Sequence, residues 1–236
     1  MNPDVVDLYQ LNANNSRGGD GADFAAAKAF GIRGVIHKAS QYVTDSLYAV
    51  RKPKVLALGM LWGAYHFPTP TPVADQLALF FKSAPPDADT FPFLDYESYR
   101  GYTMSLQSAI NFMDGVDQKY GRPCGLYSGN VIKEQVNGAT PGQIEFLAAH
   151  PFWLAQYANV PQTVSYDRHP LPWTKDYLWQ FTGDGAGPGP HYVPGIGNGV
   201  DVSTWAGDKA TDLEMWWKTG KVSDALVSNA DPGGEG

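Results

Sequence analysis

Short apolar runs recur along the first 150 positions of this 236-residue chain, and each is followed by a segment with helical spacing. Runs at residues 5–8, 34–38, 61–67, 93–97 and 124–128 read as strands, and segments at 23–30, 45–58, 73–83, 104–120 and 130–149 read as the helices after them. Strands joined through helices pair in parallel, because the chain must cross the sheet to start the next strand in the same direction. After residue 150 the pattern changes. Runs at 152–157, 177–181 and 199–203 still read as strands, but Pro- and Gly-rich stretches with no room for full helices separate them. Eight strands with helices after the first five predict an α/β fold, a TIM-like (β/α)5(β)3 parallel barrel whose last part has lost its helices. A helix at about 208–218 would dock back on the barrel, giving one domain over 1–220 and a C-terminal extension, 221–236, ending in a disordered tail.

Local signals mark the ends of several pieces. Asp23 stands where an N-cap belongs, and Gly31 and Gly59 where helices stop. Pro53 should kink or shorten the second helix. Leu106, Ile110, Met113 and Val116 share one helical face and are assigned to the core.

Composition narrows the partners. A net charge of −7 without a basic stripe argues against nucleic acid, whose phosphates would need one. The single cysteine, Cys124, excludes an internal disulfide and a Cys-rich zinc site, and reads as a small buried residue. No metal and no cofactor is expected. No apolar run approaches the roughly 20 residues of a membrane span, and the first residues show no secretory signal. A soluble protein is therefore expected, exported by some other route if it acts outside the cell. The 7 Trp and 13 Tyr serve equally as core or as the walls of a sugar cleft, where rings stack on apolar sugar faces.

In a (β/α) barrel the working residues gather at the C-terminal ends of the strands. Asp7, Lys38, Tyr65, His66, Asp95 with Glu97, Tyr127, Gln156 with Tyr157, Trp179 with Gln180, and Asp201 all interrupt apolar strands at that rim. Asp95 and Glu97 are two apart, so on a strand they would share a face with Cα atoms roughly 6 to 7 Å apart. Two acids that close can be driven to different pKa values, which is the chemistry of glycosidic bond cleavage. Each residue alone also has a structural reading, as a helix cap, a strand end or a satisfied buried group. Four carboxylates brought to one barrel mouth repel one another, and the arrangement makes sense if it holds a proton or faces a developing positive charge.

The ordered set Val5-Val6-Asp7-Leu8-Tyr9, Gly34 to Ala39, Trp62 to Phe67, Leu94-Asp95-Tyr96-Glu97, Leu126 to Gly129, Phe152 to Tyr157, Leu178 to Phe181, Pro194-Gly195-Ile196 and Val200-Asp201 resembles the lysozymes (N-acetylmuramidases) of glycoside hydrolase family 25. The resemblance implies a flattened eight-stranded barrel and hydrolysis of the β-1,4 bond between N-acetylmuramic acid and N-acetylglucosamine in peptidoglycan. By motif position it makes Glu97 the general acid. It leaves Asp95 to stabilise charge at the sugar carbon or to orient the substrate's acetamido group. Asp7 and Asp201 become the two further acids of the site. Tyr65, Tyr127, Trp179 and Gln180, with Lys38, Gln156 and Tyr157, are expected to line the sugar groove, while Trp62 and Trp153 suit groove or core equally. His66 is expected to be structural. A phage endolysin, acting as a monomer on glycan strands, fits this set.

Two departures stand out. Gln10 to Asn15 replaces the pattern usual after the first strand, and the Gly-rich stretch 183–199 is long enough to reshape the rim. A chitinase-like endo-N-acetylglucosaminidase also carries Asp-x-Glu at the end of strand four, but its upstream acids are missing from Phe91-Pro92-Phe93. A cell-wall binding module or phage structural component that kept the barrel without activity is the alternative from a different class.

Overall fold

The computed structural model describes residues 2–13, 19–157, 172–173, 178–205 and 210–219. The expected C-terminal extension and tail lie outside the described residues. Five β/α units come first: β1 (Val5–Leu8) with α1 (Phe24–Phe30), β2 (Gly34–Ser40) with α2 (Tyr48–Ala57), β3 (Leu61–His66) with α3 (Val73–Ser83), β4 (Thr90–Asp95) with α4 (Leu106–Tyr120), and β5 (Gly125–Ser128) with α5 (Asn130–Gln135) and α6 (Pro141–Ala148). Then follow β6 (Phe152–Ala155), β7 (Leu178–Thr182), a small hairpin of β8 (Tyr192–Val193) and β9 (Gly197–Asn198), β10 (Asp201–Trp205) and α7 (Ala210–Thr219).

Eight of these strands close a barrel in the order β1, β10, β7, β6, β5, β4, β3, β2. Seven run parallel, but β10 is antiparallel to both β1 and β7, so the barrel is mixed where an all-parallel one was expected. The reason is the connection. Without a crossover helix between β7 and β10, the chain folds back through the short β8–β9 hairpin, and a return of that kind reverses direction.

Side chains alternate between two layers. Val5, Ile36, Tyr65, Phe91, Phe93, Tyr127, Trp153, Leu178 and Trp205 fill the barrel interior, and Leu213, Trp216 and Trp217 of α7 pack against them from below. The intervening positions, among them Val6, Val35, Trp62, Ala64, Leu94, Leu126, Leu154 and Trp179, face the outer helices. The interior is filled so tightly that glycine is required at one contact: a Cβ on Gly125 would run into the Phe93 ring. Trp217 anchors the plug by donating its Nε1–H to the Trp62 carbonyl at 2.8 Å.

The loop after β1 is tied to the start of α2. Asp45 accepts the backbone N–H groups of Gln10 and Leu47, both at 2.9 Å, forming a turn that delays the helix from the expected residue 45 to Tyr48. Pro53 lies inside α2 without ending it. Arg51, fully buried, donates to Asp20 Oδ1 at 3.0 Å and to the carbonyls of Tyr9 and Asn12, and the Nη1 that bonds Tyr9 also faces His37 Nε2. A buried guanidinium without partners would cost several kcal/mol, so these bonds fix where Tyr9 leaves the barrel. Replacing Gly125 by Ala should lower stability by about 1–3 kcal/mol through overpacking against Phe93, read as a lower urea midpoint with an unchanged slope.

Candidate active site

Antiparallel pairing of β1 and β10 sets Asp7 directly opposite Asp201. Opposed residues on paired strands point to the same face, here the mouth of the barrel. From β7, Gln180 donates its amide N–H to Asp7 Oδ1 at 2.9 Å. Its amide oxygen accepts two hydroxyls, Tyr127 from β5 at 2.7 Å and Tyr157 beyond β6 at 2.9 Å. One buried amide therefore joins four elements beneath the site.

Asp95 is the last residue of β4, so Glu97 lies just past the strand rather than on it. The extended path persists long enough to keep both acids on one side. Tyr96 donates its N–H to the Tyr127 carbonyl at 2.8 Å, and its buried side chain turns outward to donate to the Met104 carbonyl at 2.8 Å. Asp95 Oδ1 is buried with no hydrogen-bond partner among the described residues. An unmade bond at a buried acceptor costs about 1–3 kcal/mol, which marks that oxygen as one awaiting a donor.

These groups surround a cavity of about 340 Å³ lined by Asp7, Tyr9, Lys38, Tyr65, Phe67, Asp95, Glu97, Tyr127, Trp153, Tyr157, Asp184 and Asp201. Among the described residues, five carboxylates thus share one space with a single cation. Lys38 lies over the rings of Tyr9, Tyr65 and Phe67 at 4.8, 5.7 and 5.4 Å. An adjoining groove of about 420 Å³ shares Tyr9, Lys38 and Phe67 and continues along Leu11, Tyr42, Val43 and Tyr99.

Burial raises the proton affinity of Asp7, Asp95, Glu97 and Asp201. Asp7 is held well above the usual range by burial and then by the charge of Asp201, with which it shares a hydrogen bond. Asp201 is pushed up to about 6, chiefly by burial, although it accepts the Asp184 N–H at 2.9 Å. Asp95 is raised by burial and then by Glu97, while Lys38 acts the other way. Glu97 is raised by burial and then by Asp184 and Asp201. Tyr65 and Tyr127 are likewise held as neutral phenols, by burial first and the nearby acids second.

Of the residues expected at the site, Asp7, Asp95, Glu97, Asp201, Lys38, Tyr65, Tyr127 and Tyr157 line the cavity, with Gln180 beneath it. Trp179 and Gln156 do not line it. Trp179 neighbours Gln180 on one strand and so faces the outer layer, where its Nε1–H reaches the Gln156 carbonyl at 2.8 Å. The Gln156 side chain instead takes a bond from Lys133. Trp153 lines the cavity floor, donating to Ser203 at 2.9 Å, whereas Trp62 is outer core, donating to Tyr48. His66 is fully buried between Ser40 and Gln76 at 2.8 and 2.9 Å, and burial lowers its pKa to about 4, so it is a neutral structural group. Tyr9, Phe67 and Asp184 join the lining unforeseen; the Gly183-Asp184-Gly185 turn signal was legible, but not the direction in which it points. Among the described residues no group of three or more His, Cys, Asp or Glu is placed to hold a metal ion.

The sequence profile described as "Glycosyl hydrolases family 25" matches residues 6–190, most of the chain and most of the barrel. The chain belongs to glycosyl hydrolase family 25. A muramidase from Acremonium alcalophilum is similar in structure at 25% identity, with a TM-score of 0.66 over 92% of this chain and 98% of that one. A bacterial lysozyme from Streptomyces coelicolor superposes with a TM-score of 0.70 at 19% identity, over 93% of this chain and 98% of that one. The catalytic domain of an endolysin from bacteriophage P40 of Listeria monocytogenes gives 0.63 at 19% identity, over 93% and 98%. No curated protein sequence matches. Family 25 membership makes the protein a glycoside hydrolase, and the last two likenesses concern its fold.

An acid whose folded pKa is raised contributes stability that is full below its unfolded pKa and lost as pH rises through the folded value. Asp201→Asn should therefore stabilise the fold at pH 7.5 by about 1–3 kcal/mol while reducing activity, with the gain vanishing near pH 4; thermal unfolding across this range measures it.

Proposed function

We propose that Glu97 is the general acid and Asp95 its partner in cleaving the β-1,4 bond between N-acetylmuramic acid and N-acetylglucosamine. The protein is a peptidoglycan hydrolase, a lysozyme. The observation that carries the proposed roles is the contrast between the two acids' neighbours in one cavity. Glu97 faces the negative Asp184 and Asp201, which favour its protonated form. Asp95 is raised by burial and then by the Glu97 charge, but it alone of the two is drawn the other way by Lys38, the one cation among the described residues lining the cavity. Two carboxylates with different charged neighbours suit acid-catalysed glycoside cleavage, in which the pair must take different roles.

In the proposed reaction the Glu97 proton passes to the glycosidic oxygen as the bond from that oxygen to the muramoyl C1 breaks. The positive charge at C1 is met by Asp95, directly or through the substrate's acetamido group. The unpartnered Asp95 Oδ1 suits the second route, because it would accept the acetamido N–H and aim the acetamido oxygen at C1. Water then adds to C1 and returns a proton to Glu97. Asp7 and Asp201, sharing a hydrogen bond and held by Gln180, shape the field without leaving the floor. Tyr9, Phe67 and Tyr99 offer rings on which the glycan strand would stack as it continues from the cavity into the neighbouring groove.

One chain supplies every residue of this scheme, so a monomer suffices. Among the described residues no helix is long and apolar enough to cross a membrane. Action on the bacterial cell wall, as an endolysin or another lysozyme, follows from the substrate.

Glu97→Gln should slow the clearing of peptidoglycan sacculi by about 10²- to 10⁴-fold, and wild-type digests should carry new reducing ends on muramic acid. Reducing ends on glucosamine would instead support a chitinase-like cleavage, and sacculus binding without clearing by the wild type would support a wall-binding module. An unimpaired Glu97→Gln enzyme would remove Glu97 from the acid role.

A further inference from the structure

The turn after β7 places a fifth carboxylate at the mouth of the cavity, and nothing in its local structure requires an acid there. Gly183 and Ala186 pair across this turn, and Asp184 adopts φ 51°. The turn is pressed against the site. A Cβ on Gly183 would lie 2.8 Å from Asp201 Oδ1 and collide with the Tyr157 hydroxyl, so only glycine lets the backbone come so close. That approach lets the Asp184 N–H bond to Asp201 Oδ1 at 2.9 Å. The Asp184 side chain itself is exposed, and its carboxylate takes no hydrogen bond or ion pair among the described residues. What it brings to the cavity is charge.

We propose that Asp184 is a positioning residue for the proton of the acid catalyst: its carboxylate, held at the rim by the tight turn, keeps Glu97 protonated between turnovers. The inference rests on Glu97 being the acid. Every element around the mouth presents a charge or a phenol to Glu97. Asp95 precedes it at the end of β4, Asp7 and Asp201 rise from β1 and β10, and Lys38 comes from β2. The phenols of Tyr9, Tyr65, Tyr127 and Tyr157 stay neutral, each pushed up by burial. Burial raises Asp7 well above the usual carboxylate range and Lys38 acts on Asp95, and the charges that oppose ionisation of Glu97 are those of Asp184 and then Asp201. Of these two, Asp184 is the exposed one. Its charge also outranks that of Asp201 in its action on Glu97, and Asp201, largely buried, is itself pushed up to about 6.

The test is the pH profile of kcat/KM for Asp184→Asn on soluble peptidoglycan fragments. Asn tolerates a positive φ as Asp does and keeps the backbone N–H to Asp201, so the variant removes charge and little else. A general acid works only while protonated, so activity falls as pH rises through the Glu97 pKa. Without Asp184 that pKa drops, and the alkaline limb should move to lower pH, with the rate on that limb falling about 3- to 10-fold at fixed pH. Because the charge is exposed, salt should move the wild-type limb the same way, and the variant's limb much less. An unmoved limb, a loss equal at all pH values, or the same salt response in both proteins overturns the proposal. An inactive Glu97→Gln with an unmoved Asp184→Asn limb would remove Asp184 and leave Glu97 as the acid.

Discussion

The antiparallel pairing of β1 with β10 is the constraint on which both the barrel and the site depend. It closes the sheet, and its register sets Asp7 against Asp201. Had β10 run parallel like the other strands, Asp201, its first residue, would lie at the opposite end of the barrel from Asp7, which falls near the end of β1. Reversing the last strand brings a strand start to the rim formed by seven strand ends. The lack of a helix between β7 and β10 and the location of the fourth acid thus have one physical origin, a connection through a hairpin instead of a crossover helix.

Crowding acids at that rim works against stability. Burial and mutual repulsion raise the proton affinity of Asp7, Asp95, Glu97 and Asp201 together, and Asp95 keeps an unbonded oxygen besides. The remainder of the molecule holds them in place. Gln180 ties Asp7 to two tyrosines, the Arg51 cluster fixes the loop leaving β1, and an interior of Phe and Trp rings stiffens the floor. Electrostatic strain at a rigid cavity of this kind is what a site needs if its charges are to respond to substrate and not to solvent.

Much of the fold is legible from patterning because hydrophobic period and turn chemistry are local. The first five β/α units follow the expected order, with the second helix starting later and the fourth strand ending earlier than expected, and the Asp23 cap and the Leu106 to Val116 core face lie where expected. Local reasoning also suffices where period two is followed strictly. Asp7, Lys38, Tyr65, Asp95, Tyr127 and Gln180 each lie an even number of positions from an interior apolar residue of the same strand, or are themselves interior. Trp179, an odd step from Leu178, faces outward by the same rule, so the expectation that it joins Gln180 in the groove overlooks a signal present in the sequence.

The residue types therefore determined by themselves the alternation of strands and helices, the acids that reach the rim of the first five strands, and the family. The tertiary structure decided the direction of β10, the pairing of Asp7 with Asp201, and the turn that brings Asp184 to the cavity. It also decided which of the two carboxylates faces Lys38. The reason is range. Periodicity is written in neighbouring residues, whereas the field at Glu97 comes from Asp184 and Asp201, carried on segments far along the chain from it, and only closure of the barrel brings them together.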